Sequence, residues 1–349
     1  MNRFPYVSVV LPLRNESAFI ECGLRAILEQ DYLGEIEVLV ADGISIDDTR
    51  DKIQSLVASI HGLGSSVIII DNPGKIVPTG INIALQHARG EMIIRVDGHT
   101  VIAPDYVRQC VETLQRTHAD NVGGKMNATA SNPFGKAVAL ATSTPFGIGG
   151  GRFHYSDQEE WVDTVYMGAW TRKVFEKIGL FDEELVRDQD DEFNYRLRAA
   201  GGKILLNPQI KSEYTVRSTP RALWRQYFQY GYWKVRVLQK HPLQMRPRQF
   251  VPPVFVFALL ASLIASFAAS WGIWLLTLIS GSYLLANLSA SVITSAKKSW
   301  KYLPSLPLIF AILHLSYGLG FLAGLVKFAN RWGDRRGKLP DWSHEHATV

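Results

Sequence analysis

From Val251 to Ala296 the chain carries no charged side chain. That run limits the fold more than any other feature, because a helix rises about 1.5 Å per residue and a bilayer core takes about 20 apolar residues to cross. It is long enough for two crossings. A pair of core helices in a soluble protein is the alternative, but globular helices of such length normally show a polar face. A second uncharged stretch, Tyr302 to Val326, offers a third crossing. The membrane region is therefore expected at 251–327, with spans near 252–270 and 273–295 and a possible third at 304–326.

The chain has 37 Lys and Arg against 32 Asp and Glu, a net charge of +5. Those cations do not form a face for nucleic acid, which is not an expected partner. They flank the apolar stretches: Lys234, Arg236, Lys240, Arg246 and Arg248 before the first, Lys297, Lys298 and Lys301 after it. Cytoplasmic Lys and Arg belong at such positions, and anionic membrane lipids are the implied partner. The charge rule then conflicts with itself, since Lys327, Arg331, Arg335, Arg336 and Lys338 follow the third stretch as well. Either that basic polar tail, 328–349, lies outside despite its cations, or one apolar segment does not cross.

Ahead of the first stretch, Arg221 to His241 mixes Trp224, Tyr227, Phe228, Tyr230, Tyr232 and Trp233 with Arg225, Lys234 and Arg236. Aromatic rings beside cations suit the headgroup layer, so 221–250 reads as an interfacial amphipathic segment, with a helix packed on the front domain as the alternative. Cys22 and Cys110 are far apart and lack partners at metal spacing, so both are expected to be reduced and buried. Met1 to Val10 enters a strand-like run directly, without the apolar core or cleavage site of a signal peptide. The front domain is accordingly expected in the cytoplasm, attached to the plasma (inner) membrane of the cell by a multi-pass anchor.

That front domain, 1–220, alternates β-branched runs with helical patterns: Val7 to Leu11, Ile20 to Gln30, Glu37 to Ala41, Thr49 to Ser59, Val67 to Ile70, Gly80 to Ala88 and Met92 to Val96. The rhythm predicts βαβ units and an α/β fold on a parallel sheet. Ligands of such sheets bind beyond the carboxyl ends of the strands, which here lead into Pro12 to Glu16, Asp42 to Asp48, Asp71 to Lys75 and Asp97 to Thr100. Asp97 and His99, one residue apart at a strand end, are donors suited to a divalent cation, although turn chemistry alone also produces such a pair. Phe146 to Gly151 reads as a flexible loop or lid. A dense acidic patch, Asp182 to Glu192, leads into a helix bearing Arg196 and Arg198.

Six segments in order carry a resemblance: Val7-Ser-Val-Val-Leu-Pro-Leu-Arg-Asn-Glu16; Asp42-Gly-Ile-Ser-Ile-Asp-Asp-Thr49; Asn82 with Ala84 to Gly90; Asp97-Gly-His99; Met167-Gly-Ala-Trp-Thr-Arg through Glu183; and Gln189-Asp-Asp-Glu-Phe-Asn-Tyr-Arg196. Over about residues 6–240 the chain resembles the family 2 inverting glycosyltransferases. Within them it resembles the succinoglycan-biosynthesis type of membrane glycosyltransferase. The resemblance implies a GT-A fold, a Rossmann-like mixed sheet, followed by C-terminal transmembrane helices. It implies Asp190 as general base, with Asp191 the neighbouring alternative. Asp97 and His99 would hold Mn²⁺ or Mg²⁺, with His99 standing where the family carries a second Asp. Asp42, with Arg14, Glu16, Lys75 and Asp97, would bind the nucleotide-sugar. Gly168, Ala169 and Trp170 would line the acceptor site. Gln189 replaces the family's Glu before the base.

The expected reaction is transfer of one sugar from a nucleotide-sugar, expected to be a UDP-sugar, to a saccharide on a polyprenyl diphosphate or other carrier. It would form a β-glycosidic bond in exopolysaccharide or cell-surface polysaccharide biosynthesis. Two rival readings stand beside it. One is a processive polysaccharide synthase, against which Trp224 to Trp233 lacks the family's Q-x-x-R-W motif. The other is an inactive membrane-anchored nucleotide-sugar sensor, motivated by Gln189 and His99.

Overall fold

The computed structural model describes residues 4–59, 65–340 and 342. In chain order its elements are β1 (Val7–Leu13), α1 (Ile20–Leu28), β2 (Ile36–Asp42), α2 (Thr49–Ser59), β3 (Ser65–Asp71), α3 (Val77–His87), β4 (Met92–Arg95), β5 (Thr100–Ile102), α4 (Tyr106–Thr117) and β6 (Asn121–Thr129). Then come α5 (Pro133–Thr142), α6 (Pro145–Ile148), β7 (Glu160–Val162), β8 (Tyr166–Thr171), α7 (Arg172–Ile178), α8 (Gln189–Ala199) and β9 (Ile204–Thr215). The last helices are α9 (Pro220–Lys240), α10 (Val251–Ala268), α11 (Ser270–Lys298) and α12 (Leu306–Lys327). The expected strand and helix runs of the first hundred residues are all present. Helix α3 begins three residues ahead of Gly80, where Pro78 fits the first turn.

Two compact units form, and neither is contiguous in sequence. The first comprises residues 1–127, 152–215 and 337–349, and the second 128–151 and 216–336.

In the first unit, among the described residues, the strands make one sheet in the order β3-β2-β1-β4-β8-β6-β9-β5, with β7 on β9. Strands β3, β2, β1 and β4 are parallel, whereas β8 runs antiparallel to β4 and β6. The sheet is thus mixed. Alternate side chains explain its central position: Val7, Val9, Leu11 and Leu13 of β1 join one buried cluster, while Val10 joins the other. Both faces are covered, as near-continuous apolar parallel strands require. The chain runs outward from β1 to β2 and β3, then returns to β4 on the other side of β1. That reversal leaves a crevice at the carboxyl ends of β1 and β4.

In the second unit, α10, α11 and α12 are each long and apolar enough to cross a membrane. They differ in how much is covered. Half of the most apolar window of α12 is buried, against 17% for the first of the three and 11% for α11. Helices α9 and α12 meet at glycines: a Cβ on Gly231 would stand 2.0 Å from the Tyr317 carbonyl oxygen, and one on Gly320 2.0 Å from that of Phe228. Small residues permit this approach of backbones. The segment read as a lid contains α6, whose Thr144 Oγ1 caps the helix by accepting from Gly147 N at 3.1 Å. Its Phe146 ring packs edge-on against Phe310 and His314 of α12.

Candidate active site

The site grows from Arg95, the last residue of β4. Residues two apart on a strand share a face, and Arg95 Nε donates to Asp97 Oδ1 at 2.8 Å. The same guanidinium pairs through Nη1 with Asp190 in the first turn of α8. Arg95 is buried, its side chain 5% exposed, so one planar fork holds two carboxylates that would otherwise repel. Burial alone would lower the guanidinium's pKa, but Asp190 and Asp97 outweigh it and hold the group above its ordinary value.

Helix α8 is fixed in front of this arginine by its own chemistry. Glu192 and Arg196 pair one turn apart at 2.6 Å, and Arg196 donates to the Leu180 carbonyl at 2.7 Å. From α3, Asn82 clamps the backbone of Phe181, accepting from its N–H at 2.9 Å and donating to its carbonyl at 2.8 Å. The segment entering α8 is thereby pinned from two directions. Asp190 itself is 39% exposed at its side chain. Protein atoms still crowd it closely enough that desolvation pushes its carboxyl up, Arg95 pulls it down, and Asp97 and Asp191 push up again. The net result is a carboxyl above the ordinary aspartate range, suited to accepting a proton.

Around the crevice, His99 places Nδ1 3.4 Å from Glu16 Oε1 and packs edge-on to Tyr214. Asp42, fully buried at the end of β2, accepts from Ser45 Oγ at 2.6 Å and faces the Arg50 guanidinium at 3.6 Å. Arg14 lies over Gly43, the residue after Asp42. Lys75 sits in the loop after β3 with φ 59° and makes no side-chain bond or ion pair to these groups.

Gly168 and Trp170 of β8 line a small pocket with Asp190, Met167, Phe181, Phe193 and Asn194. Ala169, between them, points the other way into one buried cluster, and Trp170 is itself buried, 3% exposed, in the cluster on the opposite face. Asn121 Nδ2 donates to Asn194 Oδ1 at 2.8 Å, while Asn121 Oδ1 and the Trp170 indole N–H are buried with no hydrogen-bond partner among the described residues. Asp191 follows Asp190 in the first turn of α8. Cys22 is exposed, contrary to expectation, and Cys110 is buried.

Two donors are available for a divalent cation, since Asp97 Oδ2 and His99 Nε2 accept no hydrogen bond among the described residues. No group of three or more His, Cys, Asp or Glu side chains is arranged to hold a metal there. An all-protein cage is thus excluded for the described residues. Two protein donors would suit a hard cation that takes only part of its shell from the protein.

This fold and crevice define a GT-A nucleotide-sugar transferase. Residues 8–179 match the model of the family described as Glycosyl transferase family 2, and the chain belongs to that family as a hexosyltransferase. It is 27% identical over 329 residues to the succinoglycan biosynthesis protein ExoA of Rhizobium meliloti, covering 93% of this chain and 96% of that one. It is 29% identical over 329 residues to a Methanococcus voltae dolichyl N-acetyl-α-D-glucosaminyl phosphate 3-β-D-2,3-diacetamido-2,3-dideoxy-β-D-glucuronosyltransferase, covering 92% and 98%. Among solved structures, the Pyrobaculum calidifontis mannosyltransferase PcManGT, in complex with GDP-Man and Mn²⁺, superposes with a TM-score of 0.56 at 20% identity, covering 92% of this chain and 88% of that one.

Arg95 lies inside the strand-like run Met92 to Val96 and carried no functional expectation from the sequence. The signal was available, because an arginine two residues before a strand-end aspartate shares its face.

Proposed function

We propose that this glycosyltransferase is inverting and moves a single sugar from a nucleotide-sugar, a UDP-sugar, to a saccharide carried on a polyprenyl phosphate or diphosphate. It acts in exopolysaccharide or cell-surface polysaccharide synthesis, anchored in the plasma membrane with its catalytic unit in the cytoplasm. The observation that carries the reading is the Arg95 fork between Asp97 and Asp190. It sets a donor-side carboxylate and a base on one guanidinium at the open end of the sheet. Support for the acceptor class comes from the Methanococcus relative, whose name specifies a lipid-phosphate-linked sugar and a β-linkage.

The acceptor hydroxyl attacks the anomeric carbon opposite the diphosphate, the new C–O bond forms as the bond to the diphosphate oxygen breaks, and the proton passes to Asp190 Oδ2. Inversion follows from that single displacement. Asp42 and Arg14 bind the nucleoside end, with Glu16 and Lys75 beside them. Asp97 and His99 would hold a divalent cation, Mn²⁺ or Mg²⁺, which when bound would offset the negative charge of the leaving diphosphate. Gly168 stands beside the base on the side from which the acceptor hydroxyl would approach, with Trp170 buried behind it.

Membranes containing the protein, incubated with a panel of radiolabelled sugar nucleotides and extracted for lipid-linked product, test this directly. One added sugar with inverted anomeric configuration is expected, and EDTA stops the reaction until Mn²⁺ or Mg²⁺ is restored. A ladder of products would replace the reading with a processive synthase, and nucleotide binding without any turnover would replace it with a sensor.

A further inference from the structure

The three apolar helices differ in what holds them, and α12 is tied along its whole length to segments that cannot cross a bilayer. Near its start, Phe146 of α6 packs on Phe310, and His314 Nε2 donates to the Phe146 carbonyl at 2.8 Å. With that N–H given to a carbonyl, the neutral ring accepts at Nδ1 from the Tyr283 hydroxyl at 3.0 Å. Helix α6 belongs to residues 128–151, an excursion that leaves the catalytic unit after Asn127 and re-enters it at Arg152. Its helices, of 10 and 4 residues, are too short to span.

Through its middle, α12 packs along α9 by way of Gly320 against Phe228 and Gly324 against Tyr232. At its end, Gln239 of α9 donates to the Phe328 carbonyl at 2.7 Å. The two helices therefore run in the same direction. Helix α9 carries Arg221, Arg225, Lys234, Arg236 and Lys240, which bar it from the hydrocarbon core.

Beyond α12 the chain goes straight back to the catalytic unit. Arg236 pairs with Asp334 at 3.3 Å, Lys338 N donates to Asp182 Oδ1 at 2.8 Å, and Trp342 stacks on Phe175 at 5.9 Å. The connection from Phe328 to Arg336 holds Arg331, Asp334, Arg335 and Arg336 on largely irregular backbone, which lipid does not admit. The segment after α12, through Trp342, thus lies on the side of the catalytic unit, so the number of crossings between α9 and that segment is even.

We infer that α10 and α11 cross the bilayer as a hairpin and that α12 does not: it lies in the leaflet on the catalytic side, both ends facing that side, touching lipid through residues such as Leu308 and Val326. These two are 55% and 80% exposed. The inference rests on the membrane attachment proposed above. Lengths agree with it, since the 18 residues of α10 rise about 27 Å, close to the hydrocarbon thickness. Helix α11 has 29 residues, and its surplus carries the buried Asn287, Ser291, Thr294 and Ser295, where the headgroup level is reached. The arrangement also removes the charge conflict in the sequence. Lys297 to Lys301 and Lys327 to Lys338 all fall on one side, next to anionic headgroups.

The test uses the full-length protein with Cys22→Ser, Cys110 being buried, and single cysteines at Ser270→Cys, Lys301→Cys and Arg335→Cys. Intact spheroplasts are exposed to a membrane-impermeant maleimide before and after permeabilisation, and each variant is counted once its membranes retain sugar transfer. Position 270 is expected to label from outside, and positions 301 and 335 only after permeabilisation. Labelling of 335 from outside, with 301 protected, would show α12 crossing and overturn the inference. Protection of 270 would instead remove the hairpin crossing, and with it the attachment on which the inference rests. Trp332→Cys, at another exposed position past α12, repeats the decisive site should Arg335→Cys be inactive.

Discussion

Replacing Arg95 by methionine tests whether the arginine tunes Asp190, the proposed base, or merely fills space. Methionine keeps much of the buried stem volume and removes the charge, leaving Asp97 and Asp190 near each other without the group that separates them. A unit charge pair at about 4 Å is worth about 4 kcal/mol at an effective dielectric of about 20 and about 1 kcal/mol in water. Asp190 is 39% exposed, so solvent screening places the lost attraction toward the lower end, about 1–2 kcal/mol. That corresponds to roughly a 5–30-fold fall in kcat/KM where the base is partly protonated. The sign follows from the groups present. Burial, Asp97 and Asp191 all push the Asp190 carboxyl up, and Arg95 pulls it down, so the variant's carboxyl rises further. The acid limb of the pH–rate profile should move to higher pH, with activity partly recovered on the alkaline side. Arg95→Lys, which keeps the charge but not the two-pronged fork, should fall between the two. The assay is initial-rate transfer to extracted lipid-linked acceptor across pH, with nucleotide binding measured in parallel to confirm folding. An unshifted acid limb in a folded Arg95→Met enzyme would refute the coupling.

Asp190→Asn should abolish transfer while leaving nucleotide binding largely intact; turnover retained in membranes would move the base to Asp191. Asn82→Leu strands the buried N–H and carbonyl of Phe181, at about 1–3 kcal/mol for each unsatisfied group, and should lower the apparent Tm in detergent by several degrees. Gly324→Val forces a Cβ to within 2.6 Å of the Tyr232 carbonyl oxygen, so it should loosen α9 from α12 and reduce activity without preventing membrane insertion, as read by flotation of membranes. Burial raises the Glu37 carboxyl, but hydrogen bonds from Ser8 and Arg89 outweigh it and hold the group below its ordinary value. Its stabilisation is therefore present above the unfolded pKa and lost as pH falls through the folded one, and Glu37→Gln should flatten that acid limb of the Tm profile.

How far the sequence carries the structure depends on whether a property is local. Strands β1 and β2 were legible because each buries both faces, and a β-branched run bounded by turn residues has few other uses. The positions of Asp97 and Asp190 were legible through ordered motifs. The ion pair joining them through Arg95 was not, because it spans 95 residues. Ala169 and Trp170 show the same limit at shorter range: both stand in an acceptor-like motif, yet strand alternation sends Ala169 into one buried cluster and Trp170 into the other, where its edge lines the small pocket with Gly168. Helix α12 is the sharpest case. Hydropathy counts apolar residues and is blind to what covers them, so Leu306–Lys327 scores as a span although half of its most apolar window is buried by protein. The sequence did contain a trace of this, in glycines at 320 and 324 and in cations at both ends of the stretch. Glycines at that spacing serve close helix contact, and cations at both ends fit a helix whose two ends stay on one side.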